Sequence, residues 1–424
     1  MAIKKTLEKF IPKFFLSIYH YKLALLSAFC YGFPGRKIKV IGVTGTKGKS
    51  TTVILIGKIL EEAGYKVAWF TSATIKVNDK EILNPYHMTM PGRFVIQKFL
   101  KEAVGQKCDY ALLEVTSEGA KQHRHRFINF NTAVFTNLRP EHIEAHGSFE
   151  NYRYCKGLLF KATKKNHVLN FDDKNFDYFT QFKAERKMGF SVEKQGKDVV
   201  FGKNLEESRD GIKFGIDGVS FNLKLLGKFN IYNALAAIST VMLQGVTLEI
   251  CKKALEKIPT LPGRMEVLLE KPFKVIVDLA HTPDSYEEVF KSAKAMPHKR
   301  IIAVFGSAGG GRDKWKRPVL GKVAAQTADI IILCNEDPYD ENPEEILKDI
   351  QKGIDEANFK EANFYEVLDR RDAIKKALEL AEEDDIVLIL GKGTEQLMFL
   401  PSGKIPWDDR TVVKEEIKRL TSHS

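Results

Sequence analysis

A glycine-rich loop between a strand-like and a helix-like segment is the feature that most constrains how this chain folds. The loop lies within Ile41-Gly-Val-Thr-Gly-Thr-Lys-Gly-Lys-Ser-Thr-Thr52, after the β-like run 37–41 and before the apolar run 53–60. Its glycines let backbone N–H groups approach phosphate oxygens, and the start of the following helix favours negative charge. The order of strand, loop and helix therefore predicts an α/β domain with a phosphate-binding loop.

The side chains of the loop predict nucleotide chemistry. Lys49 can reach the β- and γ-phosphates, and the Ser50 hydroxyl can ligate Mg²⁺. Gly42 lies one residue too far from Gly48 for the strict pattern, so a chance glycine turn stays an alternative on the pattern alone. The segment 44–50 resembles the ATP loop of Mur ligases and folylpolyglutamate synthases. The ATP contacts implied by this resemblance are Gly45, Thr46, Gly48, Lys49, Ser50 and Thr51.

Composition narrows the class of protein. The 424 residues predict two or three domains, and 44% hydrophobic with 29% charged residues is typical of a soluble globular protein. The net charge of +11 fits an anionic substrate, a nucleic acid or an anionic membrane surface, unless it only reflects a lysine-rich composition. No arginine-rich block supports nucleic acid binding. Five scattered cysteines indicate free thiols in a reducing cytoplasm.

The N-terminal segment is apolar but is interrupted by charge. Residues 10–33 are rich in Phe, Leu, Ile and Tyr, yet Lys13, His20 and Lys22 break any run of the roughly 20 apolar residues that a spanning helix needs. We predict an apolar helical segment over residues 1–35, packed on the protein. The alternative is an interfacial helix that gives peripheral contact with the inner membrane face through residues 4–33, flanked by Lys4 and Lys5.

The rest of the chain alternates strand-like and helix-like segments in two blocks. Ligands of open α/β sheets gather at the carboxyl ends of strands, where Glu114 and Asn137 are expected. The segment Pro259–Arg264 contains two prolines and a glycine, which break regular structure. We therefore predict an α/β fold: a central phosphate-loop ATPase domain with a mostly parallel sheet over 36–260, and a C-terminal Rossmann-like α/β domain over 261–424.

Further segments between residues 36 and 410 resemble Mur ligases in the same order. The resemblance implies that Glu114 and Ser50 ligate one Mg²⁺, and that His142 and a carbamylated Lys156 hold a second Mg²⁺. The implied catalytic residues are Lys49, Glu114, His142 and Lys156, acting on ATP with two Mg²⁺ ions. Taken singly, each has a plain alternative as an ion-paired glutamate, a structural histidine or a solvated lysine.

The same resemblance extends to nucleotide contacts elsewhere in the chain. Asn230 and Asn233 lie in Leu225–Asn233, Arg264 lies in the hinge-like segment 261–266, and Asp278 and His281 lie in Val277–Ser285. They are expected near adenine, ribose or phosphates. Helix capping is the alternative for the two asparagines.

Within the family, the chain most resembles MurE-type ligases, which extend UDP-N-acetylmuramoyl-dipeptide. The implied contacts to the acidic acceptor are Thr89, Ser117, Gln122 and Arg124. The implied contacts to the incoming amino acid are Arg312, Asp337, Tyr339, Gly391 and Glu395. Tyr339 stands where members that add diaminopimelate carry a clamping arginine, which argues against diaminopimelate. The acidic residues of 336–341 favour a basic side chain such as lysine, unless they are a solvated charge run.

MurE-type ligases carry a UDP-binding domain ahead of the ATP loop, and residues 1–40 are too few to form it. An acceptor without UDP, a lipid-linked acceptor or one held by a partner is therefore expected.

The predicted reaction is ATP-dependent amide formation through an acyl phosphate, joining an amino acid to a cell-wall peptide precursor. The alternatives are a ligase like folylpolyglutamate synthase, and a non-catalytic ATP-binding subunit or scaffold. The expected partners are these small molecules and no nucleic acid, with the oligomeric state left open.

Overall fold

The computed structural model describes residues 12–86, 88–141, 146–208 and 210–422. The chain divides into two compact units. The N-terminal unit comprises Met1–Leu205, Phe214–Phe221 and Ile231–Lys257. The C-terminal unit comprises Glu206–Lys213, Asn222–Asn230 and Ile258–Ser424. The predicted domain boundaries at residues 36 and 261 stay predictions.

A nine-stranded sheet forms the centre of the N-terminal unit, in the order β4-β3-β2-β5-β1-β6-β7-β8-β9. Its strands are β1 (Lys39–Thr44), β2 (Val67–Phe70), β3 (Thr74–Val77), β4 (Lys80–Leu83), β5 (Tyr110–Glu114), β6 (Phe130–Phe135), β7 (Asn166–Asn170), β8 (Arg186–Ser191) and β9 (Val199–Phe201). Every neighbouring pair from β2 to β9 is parallel, and only β2–β3 and β3–β4 are antiparallel. The central strands are buried on both faces, which explains their continuous apolar sequences.

Helices cover this sheet. They are α1 (Lys13–Cys30), α2 (Lys49–Glu62), α3 (Arg93–Gly105), α4 (Ser117–Lys121), α5 (Phe149–Ala162), α6 (Phe176–Thr180), α7 (Phe229–Met242) and α8 (Leu248–Glu256). The helix α1 packs against α3, and α2 connects directly to β1 through the glycine loop. A separate three-stranded sheet consists of β10 (Lys203–Ser208), β11 (Gly211–Ile216) and β12 (Val219–Leu223).

The C-terminal unit contains a six-stranded sheet in the order β13-β14-β18-β15-β16-β17. Its strands are β13 (Glu266–Leu269), β14 (Lys274–Asp278), β15 (Ile301–Phe305), β16 (Ile330–Leu333), β17 (Phe364–Glu366) and β18 (Ile386–Leu390). Its helices are α9 (Pro283–Lys294), α10 (Lys316–Ala325), α11 (Pro343–Glu356), α12 (Arg370–Leu380) and α13 (Asp409–Ser422). The hairpin of β19 (Leu397–Leu400) and β20 (Gly403–Pro406) lies outside the sheet.

Alternate residues of each strand in this sheet belong to different apolar cores. Ile276 contributes to one cluster, whereas its neighbours Val275 and Val277 contribute to the other. Only β13 is antiparallel to its neighbour, and the other four pairings are parallel. A parallel sheet covered on both faces is the doubly wound arrangement that the alternating sequence predicts. The predicted α/β fold is confirmed.

The N-terminal helix does not have the character of a membrane span. Within the part of the chain that the structure describes, no helix is both long enough and apolar enough to cross a bilayer. Peripheral contact through residues 4–33 stays a prediction, and Lys4, Lys5 and Lys9 lie outside the described residues.

Candidate active site

The glycine loop brings its backbone unusually close to neighbouring side chains. Gly48 has a φ of +79°, and a Cβ atom placed there would lie 2.1 Å from the Asn233 side-chain oxygen. A Cβ atom at Gly45 would lie 1.9 Å from Thr136 Oγ1. Only glycine fits at both positions, so the narrow loop exposes main-chain N–H groups rather than side chains. The structure thus places Asn233 beside the loop, as the resemblance implies.

The segment after β6 holds the loop in place. The Thr46 N–H donates to Asn137 O at 2.9 Å, and the Lys47 N–H donates to Asn137 Oδ1 at 2.9 Å. Thr136 Oγ1 donates to Lys47 O at 2.7 Å. These contacts fix the loop between two parallel strands, β1 and β6. Asn137 lies two residues beyond the observed end of β6 and serves the loop through both its backbone and its side chain.

Two lysine ammonium groups meet at one carbonyl oxygen of the loop. Lys49 Nζ donates to Gly45 O at 3.0 Å and to Thr46 O at 2.9 Å. Lys156 Nζ, which comes from α5, donates to Gly45 O at 2.7 Å. Burial and the charge of Lys49 hold the pKa of Lys156 well below its usual value. The ammonium group of Lys49 beside the loop suits a polyphosphate.

Tyr152 and Thr46 complete the surroundings of Lys156. The Lys156 ammonium lies 4.6 Å from the centroid of the Tyr152 ring, and the Tyr152 hydroxyl lies 3.1 Å from Thr46 Oγ1. Burial raises the pKa of the Tyr152 phenol, which keeps it neutral. Sequence reasoning missed Tyr152 as a site residue. Its signal was its place four residues before Lys156, on the same face of a helix.

Two of the predicted magnesium ligands, Ser50 and Glu114, both contact Ser72. Ser50 Oγ lies 2.8 Å from Ser72 Oγ, and the Ser72 N–H donates to Glu114 Oε1 at 2.7 Å. Glu114 is buried at the carboxyl end of β5. A hydroxyl and a carboxylate are the hard oxygen ligands that Mg²⁺ prefers, so these residues fit the ion.

The other two predicted magnesium ligands are His142 and a carbamylated Lys156. His142 lies outside the described residues. Within the described ranges, no group of three or more His, Cys, Asp or Glu side chains is placed to hold a metal. Lys156 supplies an oxygen ligand only when it is carbamylated.

Two of the predicted acceptor contacts, Gln122 and Arg124, are linked by a hydrogen bond. Arg124 Nη2 donates to Gln122 Oε1 at 2.8 Å, and its Nη1 donates to Met90 O. Gln122 Nε2 donates in turn to Glu118 Oε1 at 2.7 Å. Ser117 Oγ lies 3.0 Å from His146 Nε2. The half-buried Thr89 precedes Met90 in the same loop.

Arg93, which sequence reasoning missed, contacts Gln122 from the start of α3. Its guanidinium donates to Gln122 O at 2.5 Å. Burial, together with the charge of Arg124, lowers the pKa of Arg93, although an arginine stays protonated at neutral pH. Arg93 and Arg124 both donate to neutral oxygens, so the segment keeps positive charge that suits an acidic acceptor.

The predicted nucleotide contacts of the C-terminal unit are engaged with backbone groups. Asp278 accepts hydrogen bonds from the Met265 N–H at 2.7 Å and the Ala280 N–H at 2.6 Å. His281 Nδ1 lies 2.7 Å from Leu279 O. Arg264 donates to Gly263 O at 3.4 Å, and Asn230 donates to Leu226 O at 2.7 Å. The roles of these residues toward a nucleotide stay predictions.

Tyr339, which replaces the expected arginine, belongs to an aromatic pair. Its ring stacks on Phe399 with centroids 4.8 Å apart, and its hydroxyl lies 3.4 Å from an Arg312 nitrogen. Arg312 therefore supplies a cation next to the position where the sequence lacks one. Tyr339 has a φ of +56°, a strained value for a bulky residue.

Most acidic side chains around Tyr339 form ion pairs with lysine or arginine side chains. Lys392 Nζ donates to Asp337 Oδ1 at 2.8 Å and to Glu395 Oε2 at 2.7 Å. Glu341 accepts from Arg317 at 2.9 Å. Glu336 is buried, and burial raises the pKa of its carboxyl. Asp337, Glu341 and Glu395 are therefore paired with cations of the protein, and recognition of a basic amino acid by the acidic residues of 336–341 stays a prediction.

Gly391 and Glu336 approach each other closely. A Cβ atom at Gly391, whose φ is +112°, would lie 2.4 Å from Glu336 Oε2. Only glycine is compatible with this contact at the carboxyl end of β18. The predicted roles of Gly391, Glu395, Asp337 and Arg312 toward an amino acid stay predictions.

Comparisons with known proteins agree with this geometry. The Mur ligase middle domain matches residues 43–241, and the Mur ligase glutamate ligase domain matches residues 263–393. A UDP-N-acetylmuramoyl-L-alanyl-D-glutamate–2,6-diaminopimelate ligase of Clostridium botulinum is 38% identical, with 94% of this chain and 82% of that protein covered.

Solved structures share the fold. A UDP-N-acetylmuramoyl-L-alanyl-D-glutamate–2,6-diaminopimelate ligase superposes with a TM-score of 0.63 at 30% identity, covering 91% of this chain and 79% of that one. The folylpolyglutamate synthase of Mycobacterium tuberculosis gives a TM-score of 0.69 at 16% identity, covering 87% of this chain and 92% of that one. The second similarity concerns the fold alone. From its loop geometry and these similarities together, the chain belongs to the Mur ligase family of ATP-dependent carbon–nitrogen ligases.

Proposed function

We propose that this ligase adds an amino acid to a free carboxylate of a cell-wall peptide precursor, with ATP and Mg²⁺. The observation that carries the proposal is the convergence of Lys49 and Lys156 on the Gly45 carbonyl oxygen. Lys49, as an ammonium group, can stabilise charge on a phosphoryl group in transfer, and the neutral amine of Lys156 can take up CO₂ beside it. The chain is also 38% identical to a ligase whose name describes this reaction class.

The reaction has two steps. A carboxylate oxygen of the acceptor attacks the γ-phosphorus of ATP, the bond to the β,γ-bridging oxygen breaks, and an acyl phosphate and ADP form. The amine of the amino acid then attacks the acyl carbon, loses a proton and displaces inorganic phosphate. Lys49 neutralises charge on the transferring group, and the loop N–H groups orient it. Magnesium, held by Ser50 and Glu114, would supply further charge neutralisation.

Carbamylation of Lys156 and a second Mg²⁺ belong to the same proposal. The lowered pKa of Lys156 favours its neutral amine, which is the form that attacks CO₂. The new N–C bond forms with loss of a proton and leaves an anion beside the loop. That anion, with His142, would hold the second ion. Carbon NMR of protein equilibrated with ¹³C-bicarbonate tests this: a carbamate signal present in the native chain and absent from Lys156→Met supports it, and its absence from both contradicts it.

The domain organisation follows from the same assignment. We propose a central ATP-binding domain over 36–260 and a C-terminal domain over 261–424 that carries the amino-acid contacts. The acceptor contacts are Thr89, Ser117, Gln122 and Arg124, where Arg93 adds positive charge. A cytoplasmic location suits an enzyme that uses ATP and whose five cysteines are free thiols.

The experiment that tests the function is a screen for ADP release and amide product. N-acetylmuramoyl-L-alanyl-D-glutamate serves as acceptor, with and without UDP, and is combined with each common amino acid and diaminopimelate. Turnover that requires both acceptor and one amino acid is expected. Diaminopimelate as that amino acid would assign the role of the replaced arginine to Arg312, whereas lysine would indicate that the acidic residues of 336–341 recognise its ammonium group. Turnover only with a pterin glutamate acceptor would establish the alternative ligase. ATP binding without turnover on any acceptor would support a non-catalytic subunit.

A further inference from the structure

The helix α1 presents its large side chains outward and its small ones inward. Ala24, Ser27 and Ala28 are fully buried against the protein. On the opposite side, the exposed fractions are 70% for Phe14, 61% for Phe15, 55% for Tyr19, 49% for Leu26 and 72% for Phe29. An ordinary surface helix shows the reverse arrangement, with its large apolar side chains toward the core. We call the outward side chains of Phe14, Phe15, Ile18, Tyr19, Leu25, Leu26 and Phe29 the α1 face.

The α1 face extends along the helix. Its members form two groups, 14–19 and 25–29, that lie two helical turns apart on one side of the helix, with the exposed Lys22 between them. The helix has 18 residues and is therefore about 27 Å long. Contiguous apolar surface of this kind marks an interaction site rather than a scatter of exposed residues.

The sequence in and next to α1 is rich in positive charge. Residues 1–40 contain eight lysines and arginines and a single acidic residue, Glu8. Lys22 is exposed on α1 itself, and no aspartate or glutamate lies within the helix. Its long stem can follow the apolar surface while the ammonium group reaches polar surroundings.

The helix contacts the predicted acceptor segment. Ser17 Oγ lies 2.8 Å from His123 Nε2, and the Tyr21 ring packs edge-on against His123 at 5.8 Å between centroids. His123 stands between Gln122 and Arg124 in the chain. Whatever covers the α1 face therefore lies next to the acceptor contacts.

We propose that the α1 face docks on the surface of an anionic phospholipid bilayer and holds the acceptor segment at that surface. Aromatic and aliphatic side chains of the α1 face enter the boundary between headgroups and acyl chains, and the ammonium group of Lys22 reaches the headgroups. A second copy of the chain is the weaker occupant, because pairing two such faces brings two sets of positive charge together. The statement about the acceptor rests on the proposed function, whereas the docking itself does not.

The test is sedimentation of the full chain with vesicles, without ATP or acceptor, so that a failure of the proposed ligase activity leaves it unaffected. Phosphatidylcholine vesicles with about one third phosphatidylglycerol are compared with phosphatidylcholine alone. The native chain is expected to bind the anionic vesicles, more weakly as salt rises. Phe15→Ser with Phe29→Ser is expected to lower partitioning about tenfold or more, and Lys22→Glu about fivefold or more.

Matched controls are Tyr154→Ser and Leu368→Ser, which remove exposed apolar side chains elsewhere. Both should partition like the native chain. The proposal is overturned if the native chain ignores anionic vesicles, or if the double phenylalanine variant binds them equally well. A concentration-dependent dimer that the double variant abolishes, without vesicle binding, would replace the bilayer with a second copy.

Discussion

Two groups of basic side chains, one in each unit, differ in the groups to which they donate hydrogen bonds. In the N-terminal unit, Lys49 and Lys156 donate to the carbonyl oxygen of Gly45. In the C-terminal unit, Arg370 donates to Asp409 at 2.6 Å and Lys392 donates to Asp337 at 2.8 Å. The first pair of cations faces a neutral group, and the second pair faces carboxylates.

The difference separates ligand-binding charge from structural charge. A carbonyl group contributes a hydrogen bond but no full negative charge, so the Gly45 carbonyl does not neutralise the ammonium group of Lys49, which can attract a phosphate. A buried carboxylate neutralises its partner, and removing one member leaves an uncompensated charge. Substitutions in the first group should therefore act on catalysis, and substitutions in the second should act on stability.

The largest effect is expected from Arg370→Met. Both side chains of the Arg370–Asp409 pair are fully buried, so the variant leaves Asp409 without its main cation. The free energy of unfolding should fall by about 3–5 kcal/mol, measured by urea denaturation. Arg419→Met, which removes a mostly exposed arginine from Glu416, should cost less than about 1 kcal/mol. Equal losses in the two variants would contradict the structural role of Arg370.

Lys49→Met should give the next largest effect, on the reaction. Loss of a cation aimed at the transferring phosphoryl group should lower kcat/KM about 100- to 1,000-fold in the ADP-release assay. Lys58→Met is the matched control, because Lys58 lies on the same helix and pairs with Glu61 at 3.2 Å. It should retain activity within about twofold. If Lys49→Met lost stability and kept its activity, the result would contradict the catalytic role assigned to Lys49.

Lys156 should make the stability of the chain depend on pH. Its pKa in the folded chain is lowered below the ordinary 10.5, so the folded state binds fewer protons than the unfolded state between the two values. The free energy of unfolding should rise with pH in that window, by up to about 1.4 kcal/mol per pH unit. This rise in the free energy of unfolding is expected in CO₂-free buffer, where Lys156 is not carbamylated. It should be smaller in Lys156→Met. Lys161→Met, exposed on the same helix, should keep the native slope.

Tyr339→Phe should give the smallest effect. The hydroxyl of Tyr339 lies 3.4 Å from an Arg312 nitrogen, a weak and exposed contact. Its removal should change KM for the amino acid by less than about threefold, whereas Tyr339→Ala, which also removes the stack on Phe399, should change it more. Equal effects of the two variants would assign recognition to the hydroxyl rather than to the ring.

The sequence predicted the strands of both sheets well, because buried parallel strands read as continuous apolar runs. Glu114, which was expected at the carboxyl end of a strand, ends β5, and the glycine loop lies between a strand and a helix as predicted.

The sequence indicated several residues of the site but not the contacts between them. Lys49 and Ser50 were predicted from the loop pattern and Glu114 from the family resemblance, whereas Tyr152 with Thr46 and Arg93 with Gln122 depend on tertiary packing between residues far apart in sequence. The sequence also did not show which side of α1 packs against the protein. An almost wholly apolar helix does not show which side packs, and the small residues Ala24 and Ala28 decide it only in the folded chain.

Oxygen transfer tests the ligase assignment most directly. The acceptor carboxylate is labelled with ¹⁸O, and the phosphate released with the amide product is analysed by mass spectrometry. An acyl phosphate predicts that one ¹⁸O atom from the carboxylate appears in each phosphate formed. Unlabelled phosphate accompanying amide formation would contradict transfer of the γ-phosphoryl group to the acceptor, and with it the role assigned to the phosphate loop.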